Sequence, residues 1–308
     1  MKFKIDLDIP KCYIANEWPN FFSIGSCFAQ NQSVRLAKAG FKVYSNPFGI
    51  IYNPVSISSI LYRLAQDRLY TSKDFIQDGV FSLEHHGNYS YQSIDQAIAK
   101  SNELLATSKA ALAKSDVVII TLGTSIVFHN LQYQKIAANC HKLPGNQFQK
   151  LQLHYKAVVN SVENCIKDIR KLNANAEIIF TVSPIRHLKS GVIQNSRSKA
   201  NLLAALHEVL EKTDRTYYFP SYEIFMDELR DYRFAKDDLA HPTQQAEEYI
   251  WGKFKETVFT PKINNTIDEV EKFRKFEEHI PLSKDNNHKA EIETKRKMLI
   301  SKYPELSL

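Results

Sequence analysis

The chain has 308 residues, of which 44% are hydrophobic and 24% are charged, a balance typical of a globular protein with a substantial core. Its net charge is +6, but the sequence contains no basic stripe interleaved with aromatic residues. We therefore expect no nucleic-acid partner. No run approaches the roughly 18 apolar residues of a membrane span, and the N-terminus lacks the apolar stretch of a secretory signal.

The four cysteines indicate thiol chemistry or packing rather than disulfides. Cys12, Cys27, Cys140 and Cys165 are scattered along the chain and form no C-x-x-C pair, so neither a disulfide framework nor a dithiol motif is predicted. We therefore expect a cytoplasmic location, where a reducing environment keeps a thiol available.

Residues 21–30, FFSIGSCFAQ, organise the rest of the chain. The apolar start predicts a strand, Gly25 permits a tight turn, and the polar and apolar residues that follow predict a helix ending at Gly40. Cys27 falls in the first turn of that helix, whose positive end favours the thiolate form. The alternative is that Cys27 is a small buried hydrophobic residue.

The next part of the chain predicts a second strand at 41–44, a glycine- and proline-rich loop around Gly49, and a helix at 57–64. Residues 66–115 begin without clear periodicity, being aromatic and polar, and end in an alanine-rich helix at 94–114. We interpret 66–115 as an insertion or cap that covers or lines a pocket.

Two apolar runs, at 117–122 and 177–182, predict strands buried on both faces. Between them lies a polar loop and then an amphipathic helix at 147–172. Strands that alternate with helices at this spacing predict an α/β protein with a doubly wound, flavodoxin-like parallel sheet. We assign this domain to 1–262 and a charged helical C-terminal extension to 263–308.

Three unusual loops each follow a predicted strand: 25–27, 123–125 and 183–187. Because ligands bind beyond the carboxyl ends of strands in such sheets, we expect these loops to converge on one crevice. Arg186 and His187, in the third loop, are candidates for contact with an anion or a carboxylate.

A second chemical motif is Asp238-Leu239-Ala240-His241, which lies on a loop just before a helix. An aspartate three residues before a histidine can accept a hydrogen bond from one ring nitrogen and fix the tautomer. The other nitrogen is then available to take a proton from a nucleophile.

These motifs together resemble the GSCFA family of the SGNH or GDSL hydrolase superfamily. The family's signature occurs as Gly25-Ser26-Cys27-Phe28-Ala29, and the stretches NPFGIIYNP, TLGTSIVF, ANCHKLPG and VSPIRH are similar to it as well. The resemblance extends over roughly 21–259. It implies an SGNH-type fold and an esterase-like hydrolase or an acyltransferase that acts on an ester or thioester.

The resemblance also implies roles for individual residues. Cys27 occupies the position of the nucleophilic serine, Ser26 replaces the usual aspartate, and Asp238 and His241 supply the base. The oxyanion-hole positions fall on the Gly49 N–H and on Ser125, in the motif Gly123-Thr124-Ser125-Ile126. A serine in place of the superfamily's asparagine removes an amide donor, and one such donor is worth about 10²- to 10³-fold in rate.

Several further residues are candidates for the site. Asn46, near Gly49, could supply the missing amide donor, and Ser26 is an alternative nucleophile one residue out of register. Cys140 and His141 could join Cys27 and His241 in a zinc site, but their spacing matches no standard pattern, so no metal or cofactor is predicted. Two histidines in the presumed cap, His85 and His86, are expected to be exposed.

The leading hypothesis is therefore nucleophilic attack by Cys27 on an acyl group, with His241 and Asp238 as the base. The predicted partner is a small-molecule or polysaccharide acyl substrate, and the oligomeric state stays open. A second hypothesis is an inactive SGNH-type module that binds a carbohydrate or acyl group. A third is redox sensing by an activated thiol.

Overall fold

The computed structural model describes residues 4–14, 18–279 and 287–308. Its strands are β1 Phe21–Gly25, β2 Val43–Ser45, β3 Val117–Leu122, β4 Ile126–Asn130, β5 Lys135–Ala137, β6 Phe148–Gln152, β7 Glu177–Val182 and β8 Thr216–Phe219. Its helices are α1 Cys27–Lys38, α2 Pro54–Ala65, α3 Ile94–Ala113, α4 Tyr155–Leu172, α5 Val192–Leu210, the short α6 Ser221–Glu223, α7 Gln244–Val258, α8 Pro261–Glu278 and α9 Asn287–Lys302.

Five parallel strands form the central sheet in the order β2-β1-β3-β7-β8. This is the doubly wound flavodoxin-like order, so the predicted fold class is confirmed. The inner strands β1 and β3 are buried along their whole length, which explains why each reads as a continuous apolar run.

Helices cover both faces of the sheet, and alternate strand residues face opposite cores. Phe22, Val118 and Ile120 pack on the face covered by α2, α3, α4 and α5. Their strand neighbours Phe21 and Val117 pack on the other face, with α1, α7 and α8. Helix α3, at the end of the segment 66–115, contributes Ala97, Leu105 and Leu112 to the first of these cores.

A second, antiparallel sheet lies between β3 and α4, with strand order β5-β4-β6. The sequence pattern predicted a loop here and a helix from residue 147, which is wrong at this point. Residues Phe148–Gln152 form β6 and the helix begins at Tyr155. The side chains of β6 are mostly exposed, so backbone pairing with β4 shapes this segment and leaves little apolar periodicity to detect.

The C-terminal segment is helical and contacts the main domain. Helix α8 buries Ile263 and Ile267 in the second core, and after α9 the Ser307 N–H donates to the Gly40 carbonyl at 2.8 Å. In the described ranges, no helix combines the length and the apolar character needed to cross a bilayer.

Candidate active site

The turn after β1 places Cys27. Gly25 has φ +148°, and a Cβ at this position would lie 2.3 Å from the carbonyl oxygen of Thr121 on β3. The Gly25 N–H donates to the Asn46 side-chain oxygen at 2.8 Å, while the Ser26 N–H donates to the Thr121 carbonyl at 3.2 Å. Asn46 therefore holds the turn, and only glycine fits this close approach of β1 to β3.

Cys27 is the first residue of α1 and is half-buried. Burial raises the pKa of its thiol, while the backbone N–H groups of Phe28 and Cys27 and the positive charge of Lys199 act in the opposite direction. The prediction that the helix end makes this thiol acidic is therefore wrong in its net direction, because desolvation of the thiolate exceeds the helix-end effect.

Ser26, the alternative nucleophile, is the N-cap residue of α1. Its side chain is buried, and its hydroxyl has no hydrogen-bond partner among the described residues.

Asp238 and His241 form a close pair on the loop before α7. The His241 ring nitrogen Nδ1 lies 2.5 Å from an Asp238 carboxylate oxygen. The other carboxylate oxygen accepts the N–H groups of Ala240 and His241 at 3.0 and 2.9 Å. These hydrogen bonds, the backbone ones first, lower the pKa of Asp238 to about 2. The carboxylate thus fixes both the loop and the orientation of the imidazole.

Arg186, in the loop after β7, ties the Asp238–His241 loop to the sheet edge. Its guanidinium donates to the Leu239 carbonyl at 3.0 Å, and its own N–H donates to the Ala240 carbonyl at 3.4 Å. Arg186 also lines a cavity of 340 Å³, which neither Asp238 nor His241 lines; its other lining residues are Phe225, Met226, Leu229, Arg230, Asp231, Tyr232 and Ala235.

Contacts between α1 and α7 bring Cys27 and the His241 loop to one region. Asn31, one turn after Cys27, donates to the Glu247 carboxylate at 2.9 Å, and Glu247 lies in the first turn of α7. The charge of Glu247 acts on the Cys27 thiol. His241 precedes that helix by three residues.

His187 lies in the same region, over Gly123 at the end of β3. Its Nε2 is 3.3 Å from the position a Gly123 Cβ would take, and its ring meets Tyr52 edge to face with centroids 5.4 Å apart. Burial, followed by the charges of Lys199 and His241, lowers the pKa of His187 to about 4. The imidazole is therefore neutral near pH 7.

Lys199 on α5 is a fully buried cation below the crevice. Its ammonium donates to the carbonyls of Gly123 and Ser183 at 2.8 and 2.6 Å, so it joins the loops that follow β3 and β7. Burial lowers its pKa to about 7, and the charge of Cys27 acts in the opposite direction.

The predicted oxyanion-hole donors are engaged elsewhere. The Gly49 N–H donates to the Asn46 carbonyl at 2.8 Å, and the Gly123 N–H donates to the Tyr52 carbonyl at 2.8 Å. The Ser125 side chain is fully buried, and its hydroxyl donates to the Ser198 carbonyl at 3.0 Å. Each of these three donors therefore already has an acceptor within the protein.

His85, in the segment 66–115, and the Cys140–His141 pair contact each other. His85 is fully buried among the rings of Phe48, Tyr70 and Phe75, so its predicted exposure is wrong. His141 approaches the His85 carbonyl at 3.0 Å. In the part of the chain that the structure describes, no three His, Cys, Asp or Glu side chains are grouped to hold a metal ion.

Two site residues were missed by the sequence analysis, Tyr52 and Lys199. Lys199 has a signal in the sequence, since it shares the apolar face of α5 with Leu202 and Leu206 at spacings of three and four. Tyr52 has none, because an aromatic residue in a loop has many ordinary explanations.

Comparison with known proteins identifies one family and several solved structures of low sequence identity. The model of the GSCFA family matches residues 20–254, and no curated protein matches the sequence. A Clostridium thermocellum family 3 carbohydrate esterase is 10% identical, with a TM-score of 0.36 and coverage of 82% of this chain and 98% of that chain. An acetyl xylan esterase from the rumen bacterium Butyrivibrio proteoclasticus is 11% identical, with a TM-score of 0.40 and coverage of 82% and 64%. A family 3 carbohydrate esterase from Talaromyces cellulolyticus is 10% identical, with a TM-score of 0.35 and coverage of 81% and 98%.

Proposed function

We propose that this chain, which belongs to the GSCFA family, is a thiol-dependent acyl hydrolase or acyltransferase that acts on a small ester or thioester. The observation that carries the proposal is the 2.5 Å contact between His241 Nδ1 and Asp238 on a loop next to the helix start that bears Cys27. A nucleophile, a base and a group that orients the base are the three parts that acyl transfer needs.

The reaction begins with a neutral thiol, because burial raises the pKa of Cys27. Asp238 accepts the Nδ1–H of His241, which leaves Nε2 to take the proton as Cys27 Sγ attacks the acyl carbon. The C=O electron pair moves onto oxygen, near the free N–H groups at the start of α1. Collapse of this intermediate expels the alcohol or thiol, which receives the proton from His241.

The second half of the reaction resolves the acyl-thioester on Cys27. Water, or an acceptor hydroxyl or amine, loses a proton to His241 and attacks the same carbonyl, and Cys27 leaves as the thiol. Hydrolysis and transfer differ only in this acceptor.

Turnover of p-nitrophenyl acetate by purified variants tests this proposal. Cys27→Ala should abolish turnover, and His241→Ala should lower kcat by about 10²- to 10⁴-fold, the usual contribution of a general base. Cys140→Ala is the matched control because Cys140 is also half-buried and its thiol pKa is likewise raised by burial. Undiminished turnover in Cys27→Ala would show that the nucleophile is another residue.

A binding module without catalysis is a second candidate, and two observations favour it. The pKa of Cys27 is raised, and the Ser125 hydroxyl is held by Ser198. Such a module would bind acetylated sugars with an affinity that Cys27→Ala and His241→Ala leave unchanged, and it would form no product at high protein concentration. Redox sensing fits less well, since oxidation requires an acidic thiol.

A further inference from the structure

Attack on an acyl carbon places a negative charge on oxygen, and enzymes stabilise it with donors fixed in advance. At this crevice the N–H groups of Gly49 and Gly123 and the hydroxyl of Ser125 all have internal acceptors. The start of α1 offers backbone N–H groups, but a side-chain donor in place of the superfamily's asparagine is still needed.

His187 has an atom of the required kind. Its Nε2 is buried and has no hydrogen-bond partner within the described ranges. A buried donor or acceptor without a partner destabilises the folded protein. Nε2 packs against Gly123 and has almost no exposed surface, so its missing partner would be a ligand group that reaches the space beside Gly123 and Tyr52.

The position of His187 suits an oxyanion formed at Cys27. Gly25 and Thr121 are paired in the parallel ladder between β1 and β3, so Cys27 and Gly123 each lie two residues beyond the same rung. His187 Nε2 packs against Gly123, at 3.3 Å from its virtual Cβ. The ring of Tyr52 contacts His187, and the charge of Cys27 contributes to raising the pKa of Tyr52, after burial.

The surroundings of His187 fix it as a neutral donor. Its backbone N–H donates to the buried Asn195 side chain at 3.0 Å, which anchors the residue. The positive charges that face it, on Lys199 and His241, oppose its protonation. In the tautomer with a proton on Nε2, the ring can donate to an oxyanion and cannot act as a competing acid at neutral pH.

We propose that His187 is a catalytic residue whose Nε2–H donates a hydrogen bond to the oxyanion formed when Cys27 attacks the acyl group. This inference rests on the proposed function. In the step, the Sγ–C bond forms, the C=O π pair moves to oxygen, and the thiol proton goes to His241. His187 keeps its own proton throughout and loses the hydrogen bond when the carbonyl reforms.

Three variants separate the donor from the ring. His187→Phe keeps an aromatic ring against Tyr52 and removes the N–H, and it should lower kcat for p-nitrophenyl acetate about 10²- to 10³-fold with little change in KM. His187→Gln and His187→Met have similar length but only Gln donates. The Gln variant should therefore exceed the Met variant by at least tenfold in kcat, even if the Phe variant does not fold.

Alkylation of Cys27 by iodoacetamide is the control readout, because this substitution forms no oxyanion. The alkylation rate should be the same in wild type and in all three variants. Wild-type turnover that depends on Cys27 but is equal in the Gln and Met variants would overturn the role of His187 and leave the proposed function standing. Absence of Cys27-dependent turnover in the wild type would overturn both.

Discussion

Replacement of Gly25 by alanine should destabilise the protein strongly, because the new methyl group meets backbone rather than a movable side chain. The virtual Cβ lies 2.3 Å from the Thr121 carbonyl oxygen and 2.9 Å from its carbonyl carbon. A residue held at φ +148° adds about 1–3 kcal/mol of backbone strain, and overpacking adds about 1–3 kcal/mol. Separation of β1 from β3 would also weaken the Ser26–Thr121 hydrogen bond, worth about 0.5–1.5 kcal/mol.

The sum is a loss of roughly 2.5–7.5 kcal/mol in the free energy of unfolding, measurable by urea denaturation. Two glycines provide matched controls. Gly191 has φ +85° and ψ 152° but open space around it, so Gly191→Ala should cost about 1–3 kcal/mol from backbone strain alone. Gly252 lies within α7 with open space, so Gly252→Ala should stabilise by about 0.5–1 kcal/mol.

The ranking of these three variants is the test. A Gly25→Ala protein as stable as the Gly191→Ala protein would mean that β1 does not approach Thr121 as closely as described. The turn that presents Cys27 would then need another explanation, and the geometry of the crevice would have to be revised.

Three further predictions concern titrating groups. The pKa of Lys199 is about 7, below its ordinary 10.5, so the unfolded chain binds more protons between these values and stability should rise from pH 7 to 10.5. Lys199→Met should flatten this rise by up to about 1.4 kcal/mol per pH unit in urea titrations, and an unchanged slope would contradict burial of the cation. The pKa of His85 is about 3, so its contribution to stability is lost as pH falls from 6.5 to 3. Both ring nitrogens of His85 are buried without a partner among the described residues, and phenylalanine has no ring nitrogen. His85→Phe should therefore reduce the loss of stability at low pH and raise the free energy of unfolding at pH 7.5 by about 1–3 kcal/mol. A destabilised variant would indicate that a ring nitrogen of His85 has a hydrogen-bond partner. The Asp238 carboxyl should titrate by NMR near pH 2, so any stability it confers is complete above pH 4 and is lost as pH falls through 2; a midpoint near 3.8 would argue against its hydrogen bonds.

The sequence was sufficient for the fold because the decisive signals are local. Continuous apolar runs at β3 and β7, separated by an amphipathic helix, predict a parallel sheet without information from the rest of the chain. The glycine turn before Cys27 and the pairing of Asp238 with His241 are also local, each within a few residues, and both were predicted from spacing.

The failures have the opposite character, since each depends on a distant part of the chain. Ser125 is held by Ser198, 73 residues away, and no motif reports that contact. The pKa of Cys27 depends on how far the folded chain removes its thiol from water. Lys199 was overlooked because a lysine on an apolar helix face usually extends to solvent, whereas here two loop carbonyls replace water.

The central claim is that Cys27 carries the acyl group during turnover, and peptide mass spectrometry tests it most directly. The protein is mixed with p-nitrophenyl acetate, quenched in acid within the first turnovers, digested and analysed. We expect acetyl on the peptide that contains Cys27 in the wild type and none on the corresponding peptide of Cys27→Ala. Product released while Cys27 stays unmodified at every time point would contradict the claim.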